Sequence, residues 1–322
     1  MNKTAINPNE EKEIQEIIQT MKDFLSKTYP DGKIKRNFHP KMHGCLSATF
    51  AIRNDIPDNL KHGLFQDPST YDVWLRFSNA PPKIGSDKGS SGRGLAIKVL
   101  DVPGPVIEVD PLGMNCQNFL LTTSPILSAW NIPLYNKAIK AILKGWKQQL
   151  VFALNPKHWR SLYLTLKYSK KHDNLLAQTY FSGGAFSLGP DLFVKFLLKP
   201  KNPELGYSLE KEKSENFLKD QLTADFQQAS QGFTLCVQVQ ENEKTEPVED
   251  TSIVWKTAAV PVADLIIPKQ EFDFGQRNEF GEALSFSPWV CMEAHQPVGA
   301  INRARKAVYK ELAEFRKNGA SV

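Results

Sequence analysis

Arg76 sits inside an alternating run, Tyr71-Asp72-Val73-Trp74-Leu75-Arg76-Phe77-Ser78-Asn79. A period of two makes this run a strand with Trp74, Arg76 and Ser78 on one face. If that face is covered, the guanidinium needs an anionic partner, because an unpaired buried charge is costly. The chain must therefore build a sheet whose covered side also serves a cation. Cys45–Ile52, Leu95–Val99, Phe233–Val239, Thr251–Lys256 and Ala259–Ile267 read as further strands, the last three completing a barrel. At 322 residues, with 41% hydrophobic residues and 19 Phe, there is enough apolar material for one large core. Barrels of this size often form one domain. No internal repeat or separable linker divides residues 1–322, so one domain is expected, with residues 1–30 as a helical extension.

Two helices frame these strands. Residues 8–28 place Ile14, Ile17, Ile18, Met21, Phe24 and Leu25 at helical spacing, giving an amphipathic helix that docks on the body or on a partner subunit. Tyr29-Pro30-Asp31-Gly32 ends it with turn chemistry. Near the C-terminus, Pro297 and Gly299 precede a helix expected from about Ala300 to Lys317. Its apolar stripe is Ile301, Ala304, Val308, Leu312 and Phe315, and a neighbouring stripe holds Arg305, Tyr309, Leu312 and Arg316. A Tyr one turn after an Arg can be held as a phenolate, a hard anionic ligand suited to ferric iron. The same spacing also suits a surface Arg beside a core Tyr. Residues 127–171 look helical too, and their Trp130, Trp146 and Trp159 are expected to be core.

The net charge of +5 is modest, and no basic run with interleaved aromatics points to nucleic acid. Cys45, Cys116, Cys236 and Cys291 are scattered without a CxxC pair, which suits a reducing compartment. The charged N-terminal stretch is unlike a signal peptide, and no apolar run approaches a membrane-spanning length. A soluble, cytoplasmic protein is expected. His39 and His43 are four apart, but Pro40 disfavours a helix presenting both and no HExxH glutamate is present. The glycine-rich loop 85–94 lacks the GK[ST] ending of a phosphate loop and leads into a strand.

Arg36-x-x-His39-x-Lys41-x-x-Gly44, Arg76-Phe77-Ser78 and Arg93-Gly94-x-Ala96-x-Lys98 follow one another in this order, and Phe286-Ser287-Pro288 and Arg305-x-x-x-Tyr309 come later. This succession resembles the haem core of monofunctional catalases, and more closely the small catalase-like haem proteins that include coral allene oxide synthase. The matching segments extend from residue 36 to 316, with 130–280 matching loosely. The resemblance implies an α+β fold: a catalase-like antiparallel β-barrel of about eight strands, surrounding helices, and a C-terminal helix carrying the haem-ligand Tyr. It implies haem b as cofactor and Tyr309 as the axial ligand of the haem iron, with Arg305 holding it ionised. Arg36, Arg76 and Arg316 fall where the family pairs the haem propionates. His39 would be the distal histidine, hydrogen-bonded by Ser78. Asn115 would be the distal carboxamide by an ungapped match through Pro125, with Asn118 the alternative if the loop shifts.

The implied function is a haem-dependent peroxide-processing oxidoreductase, of catalase or peroxidase type, acting on hydrogen peroxide or an organic hydroperoxide. The alternatives are rearrangement of a fatty-acid hydroperoxide and a non-catalytic haem-binding protein. No nucleic-acid partner is implied, and a homo-oligomer is possible. Ser128 replaces the aromatic residue that large catalases set against the haem. Phe38 matches neither the small aliphatic residue of catalases nor the threonine of the allene oxide synthase. Lys310-Glu311-Leu312-Ala313 replaces the Pro-Asp-Thr-His segment after their Tyr.

Overall fold

The structure, a computed structural model, describes residues 8–209 and 212–319. Ten strands form one sheet: β1 (Met42–Ile52), β2 (Thr70–Asn79), β3 (Arg93–Val99), β4 (Gln117–Thr122), β5 (Tyr180–Phe181), β6 (Ala185–Leu188), β7 (Leu192–Pro200), β8 (Gln231–Val239), β9 (Ala259–Ile267) and β10 (Pro297–Val298). All pairings are antiparallel. The order β7-β5-β4-β3-β2-β1-β9-β8 returns to β7 through the β7–β8 pairing, closing an eight-stranded barrel, and β6 and β10 extend from β7. Closure removes the open edges that a sheet would otherwise leave for aggregation.

Alternation sorts each strand between the inside and the outside of the barrel. Val73, Leu75 and Phe77 of β2 and Leu95, Ile97 and Val99 of β3 enter the interior cluster with Phe50, Phe119, Phe196 and Phe233. Phe119 meets Phe196 edge to face at 5.0 Å, and truncating such a residue to Ala costs about 3–5 kcal/mol. The opposite faces carry Arg76 and Ser78 of β2, opposite Ala96 and Gly94 of β3. This outer face is covered: Arg76, Ser78 and Lys98 are all buried.

Among the described residues, seven α-helices surround the barrel: α1 (Pro8–Thr28), α2 (Ile132–Leu143), α3 (Trp146–Leu154), α4 (Trp159–Tyr168), α5 (Phe217–Gln228), α6 (Gly275–Ala283) and α7 (Ala300–Asn318). Ile14, Ile17, Ile18 and Met21 of α1 pack with Ile132 and Ile139 of α2 and Ala300, Ala304 and Val308 of α7. The N-terminal helix thus docks on this chain's own last helix. Arg303 strengthens the contact by pairing with Glu10 at 2.7 Å and Glu249 at 2.9 Å. Gly299, at φ 89°, starts α7 where a Cβ would lie 2.5 Å from the Val248 carbonyl oxygen, so only glycine fits. No helix among the described residues is long and apolar enough to cross a membrane.

Two expectations need correction. Thr251–Lys256 is not a strand but a series of turns. Asp250 accepts from the Ser252 amide at 2.8 Å and from its hydroxyl at 2.5 Å, and these local bonds replace a strand ladder. Trp146 and Trp159 are not core residues: both are largely exposed, because α3 and α4 turn their apolar sides away from the barrel.

Candidate functional site

His39 lies on the connection between α1 and β1 in a left-handed conformation, φ 61°. Holding a non-glycine residue there, directly before a proline, costs about 1–3 kcal/mol. The bend aims the ring back over the outer face of the sheet. Its Nδ1 meets Ser78 Oγ at 3.0 Å, and its ring atoms lie 2.4 Å from where a Cβ on Gly94 would be. Glycine at 94 is therefore the floor on which this imidazole rests. Burial, followed by the charges of Arg76, Arg36 and Arg305, pushes the His39 pKa down to about 3, so the ring is neutral near pH 7. His43 has a separate partner, Asn79 Oδ1, at 2.7 Å.

Three arginines converge nearby. Arg36 Nη1 lies 3.0 Å from Glu282 Oε2, and Arg76 Nη2 lies 3.2 Å from Glu282 Oε1. The Leu284 carbonyl accepts from Arg36 Nη2 at 2.5 Å and from Arg316 Nη2 at 3.3 Å. The segment carrying His39 and the last turns of α7 thus meet at one carbonyl. Burial lowers Arg36 well below its ordinary pKa, with Arg76 and Arg316 adding like-charge repulsion. Arg76 and Arg316 are also lowered, chiefly by burial. The Nε of Arg76 is buried without a partner among the described residues.

On α7, Arg305 Nη2 donates to the Tyr309 phenol oxygen at 3.4 Å, with the guanidinium 5.2 Å from the ring centroid. Asn302 anchors Arg305 by accepting from its Nη1 at 3.0 Å. Asn302 is itself held by donating to the Ala185 and Val298 carbonyls. Tyr135 of α2 is part-buried near Tyr309 and Arg305, and its pKa is raised, chiefly by burial. Asn302, Glu282 and Tyr135 escaped sequence reasoning, since each depends on a tertiary contact. The one available signal was Arg76, whose burial requires an anion.

The two asparagines separate. Asn115, expected at the distal position, lies outside this group: it is exposed before β4 begins, its Nδ2 3.4 Å from the Gly104 carbonyl. Asn118 is buried on the outer face of β4 and donates to the Ser287 carbonyl at 3.2 Å, leaving its Oδ1 without a partner among the described residues. Neither shares a hydrogen bond with His39 or Ser78. A cavity of about 340 Å³ opens elsewhere, by Lys195, Trp255 and Thr257. Burial lowers the Lys195 pKa to about 8, and none of the expected site residues lines this cavity.

The chemistry of the donor set suits a haem. Two of the three guanidinium groups share the Glu282 carboxylate and Arg316 reaches only the Leu284 carbonyl, an excess of cation that two propionates would balance, and Arg76 keeps a buried N–H unused among the described residues. A phenol oxygen beside a guanidinium suits ferric iron, and a neutral imidazole with one nitrogen engaged by Ser78 keeps the other for a proton.

A closed antiparallel barrel with these outer helices is the catalase-like fold. The crystal structure of a fungal catalase matches with a TM-score of 0.68 at 15% identity, over 88% of this chain and 59% of that one. Catalase A from Saccharomyces cerevisiae matches with a TM-score of 0.68 at 13% identity, over 88% and 61%. A bacterial catalase gives 0.60 at 15%, over 89% and 57%. The chain spans about three-fifths of the length of these catalases. No protein-family model and no curated protein sequence matches it.

Proposed function

We propose that this chain is a haem-dependent oxidoreductase that processes hydrogen peroxide or an organic hydroperoxide. The observation that carries the reading is the meeting of Arg36, Arg76 and Arg316 around Glu282 and Leu284. In this reading His39–Ser78 and Arg305–Tyr309 are the reactive pairs, and the charges of Arg76, Arg36 and Arg305 acting on His39 support their joint use. Tyr309 would hold the iron, with the Arg305 guanidinium beside its oxygen favouring negative charge there. Arg36, Arg76 and Arg316 would pair with the propionates. When bound, haem would supply the redox-active iron needed to cleave an O–O bond.

His39 supplies the proton chemistry. Neutral at pH 7 and held at Nδ1 by Ser78, it takes a proton from one peroxide oxygen through Nε2 and returns it to the other. General acid–base transfer of this kind is worth about 100- to 10,000-fold. Only a neutral ring can begin the sequence, and burial among the arginines keeps this one neutral.

The test is absorption of the purified protein with haem, followed by oxygen measurement after adding hydrogen peroxide. A Soret band with tyrosinate charge-transfer features and oxygen release support the reading. Haem binding without peroxide consumption overturns it in favour of a non-catalytic haem protein. With a fatty-acid hydroperoxide, an isomerised product instead assigns rearrangement.

A further inference from the structure

Helices α3 and α4 carry their apolar residues outward. Trp146, Leu150 and Leu154 recur every four residues on α3, and Trp159, Tyr163 and Leu166 are spaced by four and three on α4, so each set forms one line. All six are exposed, from 51% for Leu150 to 76% for Leu166, and Val151 beside them is 63% exposed. On their inward sides α3 buries only Phe152 and α4 only Ser161. The Trp159 indole N–H donates to the Ala153 carbonyl at 2.9 Å, and His158 stacks on Phe152 at 4.2 Å. These contacts lock the end of α3 to the start of α4 and bring the two lines together.

The charge of the same segment has one sign. Residues 140–171 contain eight Lys or Arg and no Asp or Glu. Among the described residues only Lys140 and Arg160 of these meet a carboxylate, Glu16 at 2.7 Å and Asp250 at 3.7 Å. Lys144, Lys147, Lys157, Lys167, Lys170 and Lys171 are exposed. Monomeric proteins rarely leave so many large apolar side chains of one segment in water, and here the charges of that segment are all cationic.

We infer that this face docks on the surface of an anionic lipid bilayer. The leucines and Val151 enter the boundary between headgroups and acyl chains, the Trp and Tyr rings sit at headgroup level, and the lysines meet lipid anions. A second copy is a poor occupant, since a two-fold contact would set these lysines against one another. Nucleic acid would engage the cations and rings but leave Leu150, Val151, Leu154 and Leu166 in water.

The test is flotation of the full chain with vesicles of phosphatidylcholine alone or of phosphatidylcholine containing phosphatidylglycerol. Flotation is expected with the anionic vesicles, weaker with the neutral ones, and reduced by salt. The variant Leu150→Gln/Leu154→Gln/Leu166→Gln changes exposed positions to another good helix former, so its melting should match the parent. It should lose about tenfold or more in vesicle affinity, as should Lys144→Glu/Lys147→Glu/Lys157→Glu. Failure of the parent chain to float with anionic vesicles overturns the inference, as does parental binding by both variants. A dimer in sedimentation that the leucine variant converts to monomer also overturns it, assigning the face to a second copy.

Discussion

The Glu282 carboxylate bridges the part-buried Arg36 guanidinium, at 3.0 Å, and the buried Arg76 guanidinium, at 3.2 Å. Arg316 joins them through the Leu284 carbonyl and repels both. One carboxylate thus restrains three cations. Replacing Glu282 by Gln keeps the shape and removes the charge. Breaking a fully buried pair costs about 3–5 kcal/mol, and the partial exposure of Glu282 reduces this to about 1–2 kcal/mol. The variant should melt lower than the parent without haem, and inorganic phosphate or haem should restore part of the difference. Equal melting of the two haem-free proteins would show that the cluster does not need this anion.

Arg305 and Tyr309 make a local pair on one helix, so the pair can be broken without disturbing the barrel. Arg305→Leu preserves helix propensity and leaves the phenol without its cation. Haem retention is expected to weaken by about tenfold or more, as when an outer partner of a metal ligand is lost, and peroxide cleavage should slow. Tyr309→Phe should abolish the tyrosinate charge-transfer band altogether. Haem occupancy and turnover measured side by side decide the point, and parental values in Arg305→Leu would remove its role.

Gly94 permits the His39 ring to rest on β3. Adding one methyl there would place carbon 2.4 Å from the imidazole, so the ring must move. Gly94→Ala should therefore retain haem while losing about 100-fold or more in peroxide consumption, the usual worth of a positioned acid–base group. The Soret band reports cofactor retention independently of rate. Parental turnover with an intact Soret band would exclude His39 as the proton carrier.

Much of this arrangement can be read from residue types, and its gaps have physical causes. Arg76 in an alternating strand announces the need for an anion, yet Glu282 supplies one from 206 residues away. It stands on α6, a short helix that buries only Gly281 and so prints no apolar period on the sequence. β5 and β10 are two residues long, and pairing rather than pattern makes them strands. Thr251–Lys256 has strand-like composition, but Asp250 captures its backbone in turns. The Trp periodicity between 127 and 171 shows that helices have an apolar side without showing which way that side faces.

Asn115 and Asn118 respond differently to truncation because only one is buried. Asn118→Ala removes a donor to the Ser287 carbonyl and should destabilise the protein by about 1–3 kcal/mol. Asn115→Ala touches an exposed amide and should change stability by less than about 0.5 kcal/mol. Peroxide turnover of the two variants then asks which amide serves the reaction. A large rate loss in Asn115→Ala at unchanged stability would assign the distal position to Asn115, and one confined to Asn118→Ala would assign it to Asn118.

Three buried or part-buried histidines make stability depend on acidity in one direction. Burial pushes His39 and His295 down to about 3 and His43 to about 4. In the unfolded chain each titrates near about 6.5. As pH falls below that value the unfolded chain takes up protons that the folded chain refuses, so stability is complete above it and declines toward about pH 4. Each histidine contributes a slope of up to about 1.4 kcal/mol per pH unit. His295 offers a clean test: its Nε2 accepts from the Leu64 amide at 2.9 Å, and Nδ1 has no partner among the described residues. In His295→Gln an amide oxygen can replace that acceptor without titrating. Denaturant midpoints from pH 8 to 4.5 should be level above neutrality and fall below about 6.5, with a slope shallower by about one proton in the variant. A midpoint that rises on acidification would mean these rings are charged in the folded protein, and His39 could not begin the reaction as a base.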